Sequence, residues 1–146
     1  GAMVYTRGVI QETMRMYPPI WGLIRVADKP DEIGGKEIKV GDRIVLFAYG
    51  THHSKKYWEE PETFKPERFM GEAAKKRKPY TYIPLGGGKR SCIGGAMSQV
   101  ENTLALSFLL RRFRLEYVGT EPPGINATVT LTPRGGLHFK VHELTK

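Results

Sequence analysis

The amino-acid sequence predicts an α+β fold, and three observations carry that expectation. Two segments, 5–16 and 93–112, show apolar residues at helical spacing. Four short β-type runs lie between Leu23 and Ala48, separated by glycine-containing pairs. Two more β-type runs follow residue 127. With 146 residues the chain is long enough for one domain with a core of its own.

Residues 5–16 read as a helix because Val9, Ile10, Met14 and Met16 supply its apolar positions. Pro18-Pro19 stops it, since proline lacks the N–H that the helix needs and clashes with the preceding turn. The runs 23–27, 31–33, 36–40 and 44–48 read as strands. Gly34-Gly35 and Gly41-Asp42 are two-residue turns between them, so a small antiparallel meander is expected. Residues 49–92 are rich in Pro, Gly, Lys and aromatics and hold no sustained period. So long an irregular stretch inside a compact domain points to function. In 93–112, Ile93, Met97, Val100, Leu104 and Phe108 follow the three-to-four spacing, and Ala105 and Leu109 widen the stripe. Arg111 and Arg112 fall in the last turn, where the helix dipole favours cations. The tail reads as a hairpin of strands 128–132 and 137–141 joined through Pro133-Arg134-Gly135-Gly136. Gly1-Ala2-Met3 reads as a cloning scar, which leaves 4–146 to carry the fold.

The formal charge of +8 suits nucleic acid, an acidic protein or an anionic cofactor. Its clusters are Lys55-Lys56, Lys75-Lys76-Arg77-Lys78, Lys89-Arg90 and Arg111-Arg112. No nucleic-acid motif or aromatic-studded basic stripe accompanies them, which argues against DNA or RNA. No run of apolar residues is long enough to span a bilayer, and no secretory leader is recognisable. A single cysteine rules out an internal disulfide and any multi-cysteine zinc or iron–sulfur site within the chain.

That cysteine lies in Pro84-Leu85-Gly86-Gly87-Gly88-Lys89-Arg90-Ser91-Cys92-Ile93-Gly94-Gly95. Glycine allows close approach to a flat ligand and takes positive φ without steric cost. At the head of a helix, free N–H groups and the positive dipole end favour a thiolate, the form in which cysteine binds a metal. A phosphate-binding loop is excluded: Lys89 is followed by Arg90 rather than Ser or Thr, and Ile83 stands where its first glycine belongs. A cysteine nucleophile needs a base, and nothing in the spacing pairs His52 or His53 with Cys92. A metal ligand and a buried spectator thiol both remain compatible with the residues at this point.

The loop resembles the haem-binding signature of the cytochrome P-450 family, Phe-x-x-Gly-x-Arg-x-Cys-x-Gly. Gly88, Arg90, Cys92 and Gly94 match in register, while Leu85 replaces the aromatic and keeps an apolar screen of different shape. Glu12-Thr13-Met14-Arg15 resembles the family's Glu-x-x-Arg helix motif, whose two charges share a helix face. Pro66-Glu67-Arg68-Phe69 resembles its Pro-Glu-Arg-Phe segment, and Tyr17-Pro18-Pro19 followed by Arg25 its stretch after that helix. The likeness covers nearly all of 5–143 and corresponds to the C-terminal, haem-ligating part of much longer chains. The distal helix of those chains would lie N-terminal to residue 1.

The resemblance implies haem b, with Cys92 as the metal ligand and Pro84, Leu85, Gly88, Ile93 and Gly94 shaping its bed. Arg90 and Arg25 would hold propionates, since guanidinium forks suit carboxylates. Glu12, Arg15 and Arg68 would form a structural triad. Ile20, Trp21, Leu23, Ile24 and Val129 would face an apolar organic substrate. An acidic redox partner (ferredoxin, flavodoxin or reductase) would dock at Lys75, Lys76, Arg77, Lys78, Lys89, Arg111 and Arg112. The implied activity of the parent enzyme is insertion of one oxygen atom from O₂. The alternatives are a truncated, non-enzymatic haem-binding piece, a haem-thiolate isomerase or a peroxygenase. The isolated chain is expected to be inactive and to self-associate. A bacterial protein of this kind would be cytoplasmic, and any N-terminal anchor would lie outside this chain.

Overall fold

The computed structural model describes residues 3–144, so the first two residues of the expected scar lie outside the described residues. Helix α1 spans Val4–Met16. Strand β1 (Leu23–Val26) pairs antiparallel with β4 (Arg43–Leu46), Leu23 opposite Leu46 and Val26 opposite Arg43. Between them, β2 (Asp31–Ile33) and β3 (Lys36–Ile38) form a separate hairpin. The mixed helical and antiparallel architecture matches the expected class. The connectivity does not: the four strands nest as one hairpin inside another and do not run as a meander. Gly34 and Gly35 both take positive φ and close the inner hairpin. Gly41-Asp42 turns the chain without joining paired strands; the Gly41 N–H bonds the carbonyl of Ala27, leading β4 back to β1.

The stretch 49–92, expected to be irregular, holds short helical pieces. Helix α2 is Ala48–His52, a 3-10 turn covers Pro66–Phe69, α3 is Gly71–Lys76 and a second 3-10 turn is Gly88–Arg90. None is long enough to show a period, which is why the sequence pattern is silent about them. Their stability comes from tertiary contact. The Pro66–Phe69 turn lies directly against α1, where a Cβ on Gly8 would stand 2.9 Å from the Pro66 carbonyl oxygen. Trp58 and Phe69 are buried and cluster with Tyr82 and His52 at ring-centroid distances of 4.8–6.4 Å.

Helix α4 runs Gly95–Arg112, two residues later than the spacing predicts. Glycine is a poor helix former, and with Gly94 as its N-cap the regular ladder begins only beyond the pair. The C-terminal pairing also differs from the expected hairpin. Strand β5 (Phe113–Tyr117) pairs with β8 (Phe139–Glu143), and β6 (Ile125–Ala127) with β7 (Leu131–Pro133). Pro133-Arg134-Gly135-Gly136 therefore leads out of one hairpin toward the outer pair. The tight turn falls instead at 128–130, where Thr128 donates its N–H to the Thr130 carbonyl.

Candidate functional site

Two motifs far apart in sequence build the scaffold behind the cysteine loop. Glu12 and Arg15, one turn apart on α1, are both fully buried. Arg15 Nε donates to Glu12 Oε2 at 2.7 Å and Nη2 to Oε1 at 3.0 Å. The remaining guanidinium donors reach the His52 and Pro61 carbonyls, each at 2.7 Å. Arg68 joins from the Pro66–Phe69 turn, Nε to Glu12 Oε1 at 3.3 Å, and the Lys65 N–H completes the carboxylate's shell at 2.9 Å. Arg68 also donates to the Glu60 carbonyl at 2.7 Å. A buried carboxylate with so many donors keeps its charge at tolerable cost, because hydrogen bonds replace the lost water.

Sequence reasoning missed the residue that ties this network to the loop. His52 is fully buried, accepts the Ile83 N–H at Nε2 (2.8 Å) and lies 3.1 Å from the Arg15 carbonyl through Nδ1. A backbone N–H can only donate and a carbonyl can only accept. The ring is therefore the neutral Nδ1–H tautomer. Burial holds the imidazole at about 4, below the ordinary 6.5; the Arg15 carbonyl opposes this, and His53 and the Arg15 cation add to it. No spacing signal marks His52, which sits 37 residues from Arg15 and 31 from Ile83. With both ring nitrogens engaged, it is not free to act as a base for Cys92. His53 stacks on Tyr49 with centroids 4.1 Å apart and is likewise turned elsewhere.

Beyond Ile83 comes buried Pro84, then Leu85, Gly86 and Gly88. Gly86 and Gly88 have φ of 80° and 67°, left-handed values at which a Cβ is strained. The loop closes on itself when the Cys92 N–H reaches the Leu85 carbonyl at 2.9 Å. The Gly95 N–H then bonds the Cys92 carbonyl at 3.2 Å, placing the thiol one short turn before α4. Cys92 is exposed and Ile93 beside it is fully so. A Cβ on Gly94 would stand 3.9 Å from Cys92 Sγ, and one on Gly95 only 3.1 Å from Leu85 Cδ1. The thiol is thus presented on an open, partly apolar surface with small residues around it.

Arg25 on β1 and Arg90 in the second 3-10 turn are both exposed, and neither forms an ion pair among the described residues. Arg25 reaches only the neighbouring Ile24 carbonyl, at 3.0 Å. A cleft of about 460 Å³ is lined by Arg25, Leu23 and Val45 from the outer strand pair and by Tyr80, Ile83 and Gly87 from the loop. Arg25 and the cysteine loop therefore border one space.

The two apolar stretches meet. Trp21 donates its indole N–H to the Thr128 carbonyl at 2.8 Å, and the Leu131 N–H bonds the Pro19 carbonyl at 3.1 Å. Ile20 and Leu23 are half-buried, whereas Ile24 and Val129 are exposed, Val129 at the hairpin tip.

The cationic set does not share one face. Lys75, Lys76, Lys78 and Lys89 are exposed, Lys75 pairing with Glu72 at 2.7 Å. Arg77 is half-buried over the Phe69 and Tyr82 rings, 4.7 and 5.2 Å from their centroids, so it is not a projecting docking charge. Arg111 and Arg112 close the far end of α4, about 27 Å from its start at the usual rise per residue. That is about three Debye lengths at physiological salt, so their field and that of the charges at the cysteine loop are largely screened from each other.

Comparison with known proteins bears on this arrangement. A family model described as Cytochrome P450 matches residues 1–140. Thromboxane-A synthase of Sus scrofa is 37% identical over 139 residues, covering 94% of this chain and 26% of that protein. Cyclooctat-9-en-7-ol 5-monooxygenase of Streptomyces melanosporofaciens is 37% identical over 117 residues, covering 80% of this chain and 26% of its own length. The retinoic acid-bound cyanobacterial CYP120A1 superposes with a TM-score of 0.89 at 28% identity, over 96% of this chain and 32% of that one. The chain thus spans about a quarter of the length of these curated relatives.

Proposed function

The chain belongs to the cytochrome P450 family, and from that premise we propose that its parent protein is a haem-thiolate monooxygenase in which Cys92 would hold the haem iron. The observation that carries this reading is the exposed thiol of the chain's one cysteine, held between a left-handed glycine loop and the head of α4. No group of three or more His, Cys, Asp or Glu able to hold a metal occurs among the described residues. A metal at Cys92 therefore needs its other ligands from elsewhere, and a porphyrin brings four. The residues fit such a group: the glycines leave room for a macrocycle, exposed Ile93 offers an apolar contact, and among the described residues Arg25 and Arg90 pair with no carboxylate.

Haem b bound there would supply the oxygen chemistry, the thiolate pushing electron density toward iron and favouring O–O cleavage. The chain's own residues have narrower tasks. Arg90 and Arg25 neutralise and orient the propionates. Leu85 screens the sulfur with apolar surface, and the Gly86–Gly88 backbone fixes the loop that carries it. Ile20, Trp21, Leu23, Ile24 and Val129 contribute apolar surface for an organic substrate, which suits the predominantly apolar lining of small-molecule sites. Electrons come from an acidic protein drawn to Lys75, Lys76, Lys78 and Lys89.

One matched relative is named a synthase and another a monooxygenase, at equal identity. A second reading is therefore a haem-thiolate isomerase that needs no electron supply. The test uses the full-length protein. Its reduced carbon monoxide complex is expected to show the far-red Soret band of thiolate ligation, lost in Cys92→Ser; an unchanged band in that variant rejects the ligand. Turnover dependent on both reductant and O₂ supports the monooxygenase, and turnover independent of both supports the isomerase.

A further inference from the structure

We propose that His52 is a positioning residue: as a neutral imidazole it braces the entrance of the cysteine loop against α1 and so holds Cys92 in its ligating position. This rests on the reading of Cys92 as the iron ligand.

Pro84 has no N–H, so of the two residues that lead into Leu85 and the glycines only Ile83 offers a backbone donor. That donor goes to His52 Nε2, at 2.8 Å. The same ring donates from Nδ1 to the Arg15 carbonyl, 3.1 Å away. From Ile83 the bonding continues into the loop. The Ile83 carbonyl accepts the Gly86 N–H at 3.1 Å, and the Leu85 carbonyl accepts the Cys92 N–H at 2.9 Å. An imidazole thus stands at the junction between the buried Glu12–Arg15 pair and the segment that ends in the thiol. The Tyr82 hydroxyl, donating to the Gln11 carbonyl at 3.1 Å, is a second tie beside it.

The brace works only with Nε2 unprotonated. An imidazolium has two donors and no acceptor, so the half-buried Ile83 N–H would lose its partner. The groups facing the ring are Arg15 and, beyond it, Glu12 on α1, His53 at the C-cap of its own helix, and the Tyr82 phenol stacked at 5.5 Å. Burial opposes a charge on this ring most strongly; the Arg15 carbonyl favours one, and His53 and the Arg15 guanidinium add to the effect of burial. The neutral form is thereby kept through the physiological range.

The test compares full-length, haem-loaded parent protein with His52→Phe and His52→Gln. Phenylalanine keeps a flat ring and removes both bonds. Glutamine can offer an acceptor near the Nε2 position and does not titrate. Three readouts are taken well below each protein's melting temperature: amide exchange at Ile83, the proportion of thiolate-type Soret band in the reduced carbon monoxide complex, and the pH dependence of that band. In the parent, Ile83 exchange should be protected at neutral pH. In His52→Phe it should accelerate roughly tenfold, the factor for one lost net hydrogen bond, and the folded, haem-containing fraction should show less thiolate band. His52→Gln should restore both and hold the band to lower pH than the parent. An unprotected Ile83 in the parent overturns the proposal, and that measurement stands even if a variant fails to fold. So does a His52→Phe protein with lower stability but unchanged band and exchange, since that is a packing role alone. Absence of a thiolate band from the parent would instead defeat the reading of Cys92, and the two failures are thereby distinguished.

Discussion

Arg15 and His52 bind each other reciprocally: the guanidinium of Arg15 donates to the His52 carbonyl at 2.7 Å, and the imidazole of His52 donates to the Arg15 carbonyl. Each side chain satisfies the other's backbone inside a site with no access to water. The ring's folded-state value of about 4 against an ordinary 6.5 makes this a statement about stability. Between those two values the unfolded chain binds the proton and the folded one does not, so acid favours unfolding. The contribution is fully present above about 6.5, declines as pH falls toward 4, and does not change further below. Between about pH 7.5 and pH 5 it should amount to roughly 2 kcal/mol. Denaturant unfolding of the haem-loaded parent and of His52→Gln over that interval should differ in pH dependence by this amount. Parallel pH profiles would show that His52 titrates alike in both states.

Glu12 is the shared acceptor of Arg15, Arg68 and the Lys65 backbone, with no exposed surface of its own. Removing it leaves the fully buried Arg15 guanidinium without its counter-charge. Breaking such a pair costs roughly 3–5 kcal/mol, a large part of a typical domain's stability. Glu12→Ala in the full-length protein should therefore yield little folded, haem-loaded material. Haem content per polypeptide and thermal melting measure this, and normal values in both would mean that the buried network contributes little to stability.

The sequence made α1, α4 and the cysteine loop legible because each has a local signature: helical spacing, a proline stop, glycines ahead of a thiol. The Glu12–Arg15–Arg68 association was legible only through resemblance, since a Glu-x-x-Arg pair occurs on any surface helix. What was not legible is non-local. Strand β4 prefers β1 over its sequence neighbour β3, and β8 reaches back to β5, pairings settled by tertiary geometry rather than turn chemistry. His52 has no pattern at all, because its meaning lies in two backbone groups brought to it from distant segments. Arg77 illustrates the opposite error. It sits in a run of cations and reads as a docking charge, yet it covers two aromatic rings.

That difference among cations is measurable. Lys76, Lys78 and Lys75, the last partly offset by Glu72, remain exposed beside α3. Changing these three to glutamine should slow association with an acidic redox protein and flatten its salt dependence, with little effect on melting. Arg77→Gln should behave oppositely, lowering stability by roughly 0.5–2 kcal/mol through the lost cation–π contact while leaving the association rate nearly intact. Stopped-flow reduction at several ionic strengths, alongside melting curves, separates the two. If the triple variant associates as fast as the parent at low salt, this surface is not where electrons enter.

Helix α4 gives a reason to expect a particular behaviour of the 146-residue chain on its own. Met97, Val100, Leu104 and Phe108 on α4, with Ile93 just before it, form the apolar stripe and are all exposed, and Thr103 is the one residue of α4 buried among those described. The small apolar core elsewhere consists of Ala48, Trp58 and Phe69. An apolar helix face of this length in water favours association, because covering it removes ordered contact with solvent at roughly 25 cal/mol per Å². The isolated chain should therefore self-associate or stay partly unfolded, and haemin bound at Cys92 should dissociate easily, having protein on the sulfur side alone. Replacing Met97, Val100 and Phe108 with glutamine should shift the population toward monomer without restoring tight haemin binding. Sedimentation and haemin titration of both forms give the answer. A monomeric unmodified chain that binds haemin stoichiometrically, with the thiolate Soret band on reduction and carbon monoxide addition, would mean that the exposed stripe is tolerated and that the second wall is dispensable for binding.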